Sequence, residues 1–260
     1  MLSISTSPFL NDASEAWHPK ALEQVLSEHN TPNLIGKIVV MNQGTEGDFS
    51  EETSKRLMEL GAKVYIFDQH MLKRQGVSEK DYGDHCLIEC DMNNLESVQH
   101  AALIFLAIED ELHYLFLNGQ VTNPWEHEFF GVDQETRHGH EHHMGINVLA
   151  QHLLVRLLKP ALLKTASISQ EETSRIIFTT PQKIHLDPSE LSHHSDKPWD
   201  PNDEASLQYS HHKKCIRSRL AFYHEAMIEA EKFSGSGVVV TLVPPVDDPS
   251  NHYPCSSKSY

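Results

Sequence analysis

Positive charge is scarce in this sequence. Lys and Arg together number 21 against 37 Asp and Glu, a formal net charge of -16. That balance excludes nucleic acid and anionic membrane surfaces as main partners, because both are held by basic patches. The 19 histidines offset the deficit only below about pH 6.5. Cysteine is scarce as well: Cys86, Cys90, Cys215 and Cys255 are scattered, which excludes a disulfide scaffold and fits a reducing compartment. Long apolar runs are missing. The longest, Ala101 to Ile108, falls far short of the roughly 20 residues that span a bilayer. The opening MLSISTSPFL has no basic region ahead of an apolar core, so no signal peptide is expected and a cytoplasmic location is.

What is present is a globular composition. Hydrophobic residues make up 39% and charged residues 22% of 260 positions, outside the range of disordered chains. One large domain is expected, big enough to bury its core without staples. Residues 1–34 read as a polar N-terminal arm with a short helix near His18 to Glu28. From Gly36 the pattern alternates. Apolar, β-branched runs at Lys37–Met41, Lys63–Phe67, Cys86–Cys90, Tyr114–Leu117, Arg175–Phe178 and Gly237–Val243 predict six strands. Helical stretches are expected over Ser50–Leu60, Leu95–Glu111, Glu141–Leu163 and Tyr209–Phe233, the first closed by Gly61. Strand–helix alternation implies right-handed crossovers, and so an α/β, Rossmann-like, doubly wound parallel sheet with helices on both faces. Residues 35–248 form that domain, 181–208 a long insertion near its site, and 249–260 a polar tail. No seventh strand is apparent, so the sheet is expected to be shortened at its C-terminal end. In such a sheet ligands bind at the strand carboxyl ends. Those ends are Asn42–Asp48, Asp68, Asp91, Asn118–Gln120, Thr179–Thr180 and Pro244–Pro245.

The residues at those ends resemble the short-chain dehydrogenase/reductase family over roughly 35–248. GKIVVMNQGTEG, followed by ELGAKVYIFD, is similar to its opening strand, glycine turn, helix and second strand, with Gly44 and Gly47 in the turn. LFLNG resembles its Asn-Ala-Gly strand end, with Asn118 and with Gly119 at the alanine place. GHEHHMGINVLAQHLLVRLLKPAL resembles the helix carrying the family's Asn, here Asn147. RIIFTT resembles the strand carrying its Ser, with Thr180 at that place. YSHHK matches Tyr-x-x-x-Lys as Tyr209 and Lys213. The length of 181–208 is similar to the retinol-dehydrogenase-like branch.

The resemblance implies an NAD(P)-dependent oxidoreductase that interconverts a small carbonyl and a secondary alcohol. Tyr209 would be the general acid or base, Lys213 would hold the nicotinamide ribose, Thr180 would orient the substrate, and Asn147 would hold a water that relays protons. The residues themselves support the pairing of Tyr209 with Lys213: four apart on a helix, they share a face. A cation beside a phenol favours the phenolate, which suits general acid–base work. Asp68 is placed to bind the adenosine ribose hydroxyls and to disfavour a 2′-phosphate, so NAD is favoured over NADP, with Asp91 near the adenine. His193, His194 and Trp199 in the insertion are candidates for substrate contact. The family also implies a homodimer formed through Leu95–Glu111 or Glu141–Leu163 together with Tyr209–Phe233.

Departures from the pattern favour other readings. Asp48, Phe49 and Ser50 stand where the helix after the glycine turn begins, and an acidic residue there repels a phosphate. Thr180 adds a methyl group to the serine place. Pro245 replaces a glycine and has no N–H. These favour a non-redox catalyst such as a cyclase, isomerase or dehydratase that has lost the nucleotide site. The acidity also suits a non-catalytic scaffold. The run His138-Gly139-His140-Glu141-His142-His143 puts two imidazoles at i, i+4, yet it aligns with the start of the Asn147 helix, and no metal is assigned to it.

Overall fold

The computed structural model describes residues 33–42, 48–69, 86–118, 135–168, 173–179 and 211–243, and of 48–52 and 211–213 the backbone alone. The expected N-terminal helix, the 181–208 insertion and the 249–260 tail lie outside these residues. Six strands are described: β1 (Ile38–Asn42), β2 (Lys63–Asp68), β3 (Cys86–Glu89), β4 (Tyr114–Leu117), β5 (Ser174–Thr179) and β6 (Val238–Val243). They form one parallel sheet in the order β3-β2-β1-β4-β5-β6. The order reverses direction between β1 and β4, so the sheet is doubly wound, as expected, and has a switch point there.

β1 lies between β2 and β4, with Val40 beside Tyr65 and beside Leu115. Its Val39, Val40 and Met41 are fully buried, as in a central strand covered on both faces. Alternate residues feed two cores, because successive side chains point to opposite faces. Val39, Val64 and Ile66 pack with Leu57 and Met58 of α1 (Asp48–Glu59). Val40, Tyr65 and Phe67 pack on the other face with α2 (Leu95–Ile108) and α3 (His142–Ile168). Phe105 of α2 sits edge-on to Tyr65, ring centroids 5.0 Å apart. On the same face α4 (His211–Lys232) places Phe222 against Phe178 of β5 at 5.0 Å. By itself α3 is long and apolar enough to cross a membrane, but 56% of its most apolar window is buried in this core.

Two helix ends depart from the sequence expectation by three residues or more. α2 stops at Ile108 rather than Glu111, because Glu109 turns extended and sends its carboxylate to β2. There it accepts from Lys63 Nζ and Tyr65 Oη, each at 2.6 Å. Burial, and then this bond to Glu109, push the Tyr65 phenol up to about 12. α3 runs on to Ile168 instead of Leu163, since Thr165 serves the core: its Oγ1 accepts the Leu112 N–H at 2.8 Å. α1 ends, as expected, at Gly61, whose φ of +93° is left-handed and whose missing Cβ would lie 2.6 Å from Ile35 Cγ1.

Candidate active site at the strand carboxyl ends

The parallel register brings the strand ends into one row. Asn42 is level with Phe67 and Leu117, Asp68 with Glu89, and Thr179 with Val243. A chain of polar contacts crosses the switch point within this row. The Asn118 N–H donates to Asn42 Oδ1 at 2.7 Å. Asn118 Oδ1 is 2.5 Å from the Thr179 hydroxyl, which also lies 3.1 Å from the Leu117 carbonyl. On its other side Asn42 Nδ2 donates to Gln151 Oε1 of α3 at 2.6 Å and approaches Met92 Sδ at 3.9 Å. Asn42 and Gln151 are fully buried, so these bonds hold β1, β4, β5 and α3 in fixed relation at the mouth of the crevice.

Asn147 enters from α3. Its helix begins at Glu141, an N-cap whose carboxylate accepts from the N–H groups of His143 and Met144 and from His143 Nδ1. Those amides are orphans of the first turn and attract negative charge. Burial pushes the Glu141 carboxyl up, but the His143 bond and the two amides outweigh it and hold the group below its ordinary value. Gly145 to Ala150 is a π-helical segment. Gly145 opens it because a Cβ there would meet Thr136 Cγ2 at 2.1 Å. The wider π turn carries Asn147, fully buried, whose Nδ2 donates to Ser218 Oγ of α4 at 2.9 Å. Ser218 donates in turn to the Cys215 carbonyl at 2.8 Å. π turns recur at functional sites. This one ties the Asn147 helix to the helix whose first turn carries Lys213.

Of the residues expected from sequence, Asp68, Asp91, Asn118 and Asn147 are described with their side chains. Asp68 ends β2 and Asn118 follows β4, the two strands that flank β1, and Asn147 lies in the π-helical segment of α3. Asp68 is 8% exposed at the tip of β2, with Glu89 beside it in register. Asp91 is partly used locally: its Oδ1 accepts the Asn93 N–H at 2.9 Å in the turn before α2. Gly44, Gly47, Gly119, Thr180, His193, His194, Trp199, Tyr209 and Pro245 lie outside the described residues. For Asp48 and Lys213 the backbone is described, and each lies in the first turn of its helix, α1 and α4.

Sequence reasoning placed Asn42 and Thr179 at strand ends without giving them a role, and it missed Gln151 and Ser218. A lone Asn closing the apolar run of β1 was the one available signal. The others become polar partners only once strands and helices pack. The histidine run is corrected in one respect. His138 does not share a helix face with His142, because the helix starts at His142 and His138 sits in the preceding turn, its Nε2 3.3 Å from Asn94 Oδ1. Two described thiols are not nucleophiles at neutral pH: burial, then Asp91 and Asp68, push Cys90 up to about 12, and burial raises Cys215.

Comparison with known proteins gives one consistent result. No family model matches the chain. A short-chain dehydrogenase/reductase of Phomopsis amygdali is 28% identical over 203 residues, covering 72% of this chain and 58% of that protein. Short-chain dehydrogenase/reductase bet4 of Neocamarosporium betae is 32% identical over 163 residues, covering 59% and 45%. Human retinol dehydrogenase 11 is 29% identical over 222 residues, covering 83% and 62%. The chain thus spans about half the length of the curated relatives it matches. Among solved structures, the NADP complex of Pseudomonas aeruginosa RhlG shares the fold with a TM-score of 0.57 and 19% identity, covering 82% of this chain and 73% of that one. A metagenomic short-chain oxidoreductase with NADP has the same TM-score at 18% identity, covering 82% and 84%.

Proposed function

We propose, on its similarity to curated short-chain dehydrogenase/reductases, that this chain is a nicotinamide-dependent oxidoreductase interconverting a small carbonyl and a secondary alcohol. The observation that carries the reading is the Asn147–Ser218 bond, which fixes the Asn helix against the helix of Lys213 at the strand carboxyl ends. The nicotinamide supplies the hydride acceptor or donor when bound. Everything else is the chain's work. Tyr209 takes or returns the proton at the substrate oxygen, and the Lys213 cation favours its phenolate and holds the ribose. Thr180, next after the anchored Thr179, orients that oxygen. Asn147 holds Lys213's helix and the proton path beside it.

Asp68 binds the adenosine ribose, with Gly44, Gly47, Asn118 and Gly119 along the dinucleotide and Asp91 near the adenine. The neighbouring strand-end carboxylate of Glu89 adds negative charge against a 2′-phosphate, which supports NAD as the preferred nucleotide. His193, His194 and Trp199 line the substrate entrance. Tyr223, Met227 and Ile228 are large, apolar and exposed on α4, which supports a homodimer formed through that helix. Light scattering on a size-exclusion column that reports a monomer removes that element. A cytoplasmic location completes the reading.

One observation favours a second reading, a non-redox proton-transfer catalyst on the same scaffold. α1 opens on Asp48, an acidic residue in the turn whose dipole a pyrophosphate would need. Titration with NADH and with NADPH, followed by nicotinamide fluorescence and thermal midpoint, separates the two. At 100 times its Kd a nucleotide adds about 2.7 kcal/mol of stability, which a melt resolves. Saturable binding with NADH preferred is the expected result. No binding at millimolar nucleotide overturns redox catalysis and leaves the second reading.

A further inference from the structure

We propose that His152, Glu225 and Glu229 form a binding site for a divalent transition-metal ion of the zinc class, clamping α3 to α4. Glu225 and Glu229 are one helical turn apart on α4 and so share a face, and His152 meets them from α3. His152 Nδ1 touches Glu225 Oε1 and lies 3.9 Å from Glu229 Oε1. One donor atom from each residue lies within 4.8 Å of the other two. Around a tetrahedral ion with bonds of about 2.0–2.2 Å, donor atoms stand roughly 3.3 Å apart. The observed spacing brackets that value. Binding an ion requires the first contact to open and the second to close.

Burial and charge point the same way. The Glu225 and Glu229 side chains are 12% and 5% exposed, and His152 is 31% exposed at the rim. Two carboxylates this close in a buried place repel each other and lose solvation. The structure offsets this only in part. Lys232 Nζ reaches Glu229 Oε1 at 2.6 Å from a half-exposed side chain, and the imidazole holds Glu225. A dication neutralises both carboxylates at once and releases Lys232 to solvent. One imidazole and two carboxylates with a rim position left for water suit zinc better than calcium or magnesium, which favour oxygen-only sets.

The site shares no residue with the strand-end row, although His152 directly follows Gln151. It acts on the same pair of helices, since Asn147 and His152 share α3 while Ser218 and Glu225 share α4. The test uses full-length protein stripped with a chelator, then titrated with zinc while metal content and thermal midpoint are followed. Cobalt(II) substitution serves as a spectroscopic probe. The expected result is one zinc per chain, a midpoint raised by several degrees, and cobalt bands in the visible. Glu229→Gln and His152→Gln should each weaken uptake at least 100-fold. Lys232→Ala removes the competing cation at a half-exposed position and should tighten zinc binding several-fold, an effect that a mere ion pair between helices does not produce. No uptake by the parent protein, uptake unchanged in both ligand variants, or weaker binding in Lys232→Ala overturns the proposal.

Discussion

The Asn118 N–H donates to Asn42 Oδ1 at 2.7 Å, so the two strand ends that flank the switch point are pinned by one amide side chain. Asn42→Leu keeps the approximate volume but leaves the Asn118 N–H and the buried Gln151 Oε1 without this partner. A buried polar group left unsatisfied costs about 1–3 kcal/mol. Urea denaturation of Asn42→Leu should therefore report a loss of about 1–3 kcal/mol. A loss under about 0.5 kcal/mol means that the network does not hold the crevice.

Gly145→Ala should destabilise the protein by about 1–3 kcal/mol through overpacking, because the new Cβ meets Thr136 Cγ2 at 2.1 Å. Thr136→Ser removes that methyl group and keeps the hydroxyl that accepts the His140 N–H. The double variant should recover at least half of the loss. Additive losses in a thermodynamic cycle would show that Gly145 serves the π turn by backbone freedom rather than by clearance.

Acid should weaken the start of α3. The Glu141 carboxyl is held below its ordinary value of 4.5 in the folded chain. Its contribution is therefore fully present above that value and is lost as pH falls from there through the depressed folded value. Glu141→Gln, lower in stability at neutral pH, should lose less on acidification than the parent protein. Parallel denaturation curves from pH 6 down to pH 3 check this. Equal acid losses in the two proteins would assign the sensitivity to Glu109 and Glu225, whose carboxyls are also lowered.

Asp68→Ser should shift nucleotide preference toward NADPH by about tenfold, equivalent to about 1.4 kcal/mol, as the carboxylate at the β2 tip is removed. Fluorescence titration with both nucleotides measures the ratio. A ratio that does not move would place the ribose away from Asp68.

Tyr209→Phe should lower turnover of a carbonyl substrate by about 10²–10⁴-fold while leaving nucleotide affinity within a factor of two or three. Loss of both together would mean that the residue serves folding rather than proton transfer.

The α/β alternation, the six strands and their parallel sense were legible in the sequence, because buried parallel strands read as short β-branched runs and each helix between them has an apolar face. Asp68, Asn118, Asn147 and Lys213 each fall at a strand end or helix position that local pattern locates. Tertiary packing decided the rest. Only the register of β1, β4 and β5 brings Asn42, Asn118 and Thr179 within hydrogen-bond reach. The end of α2 is set by Glu109 reaching β2, a partner 46 residues away in the case of Lys63. The close approach of Thr136 to Gly145 and the His152–Glu225–Glu229 group, the latter from the packing of α3 on α4 across 73 residues between His152 and Glu225, arise only from tertiary packing. Local pattern reports the conformation of a segment, whereas a hydrogen bond or ligand set between distant segments depends on how those segments are placed in space.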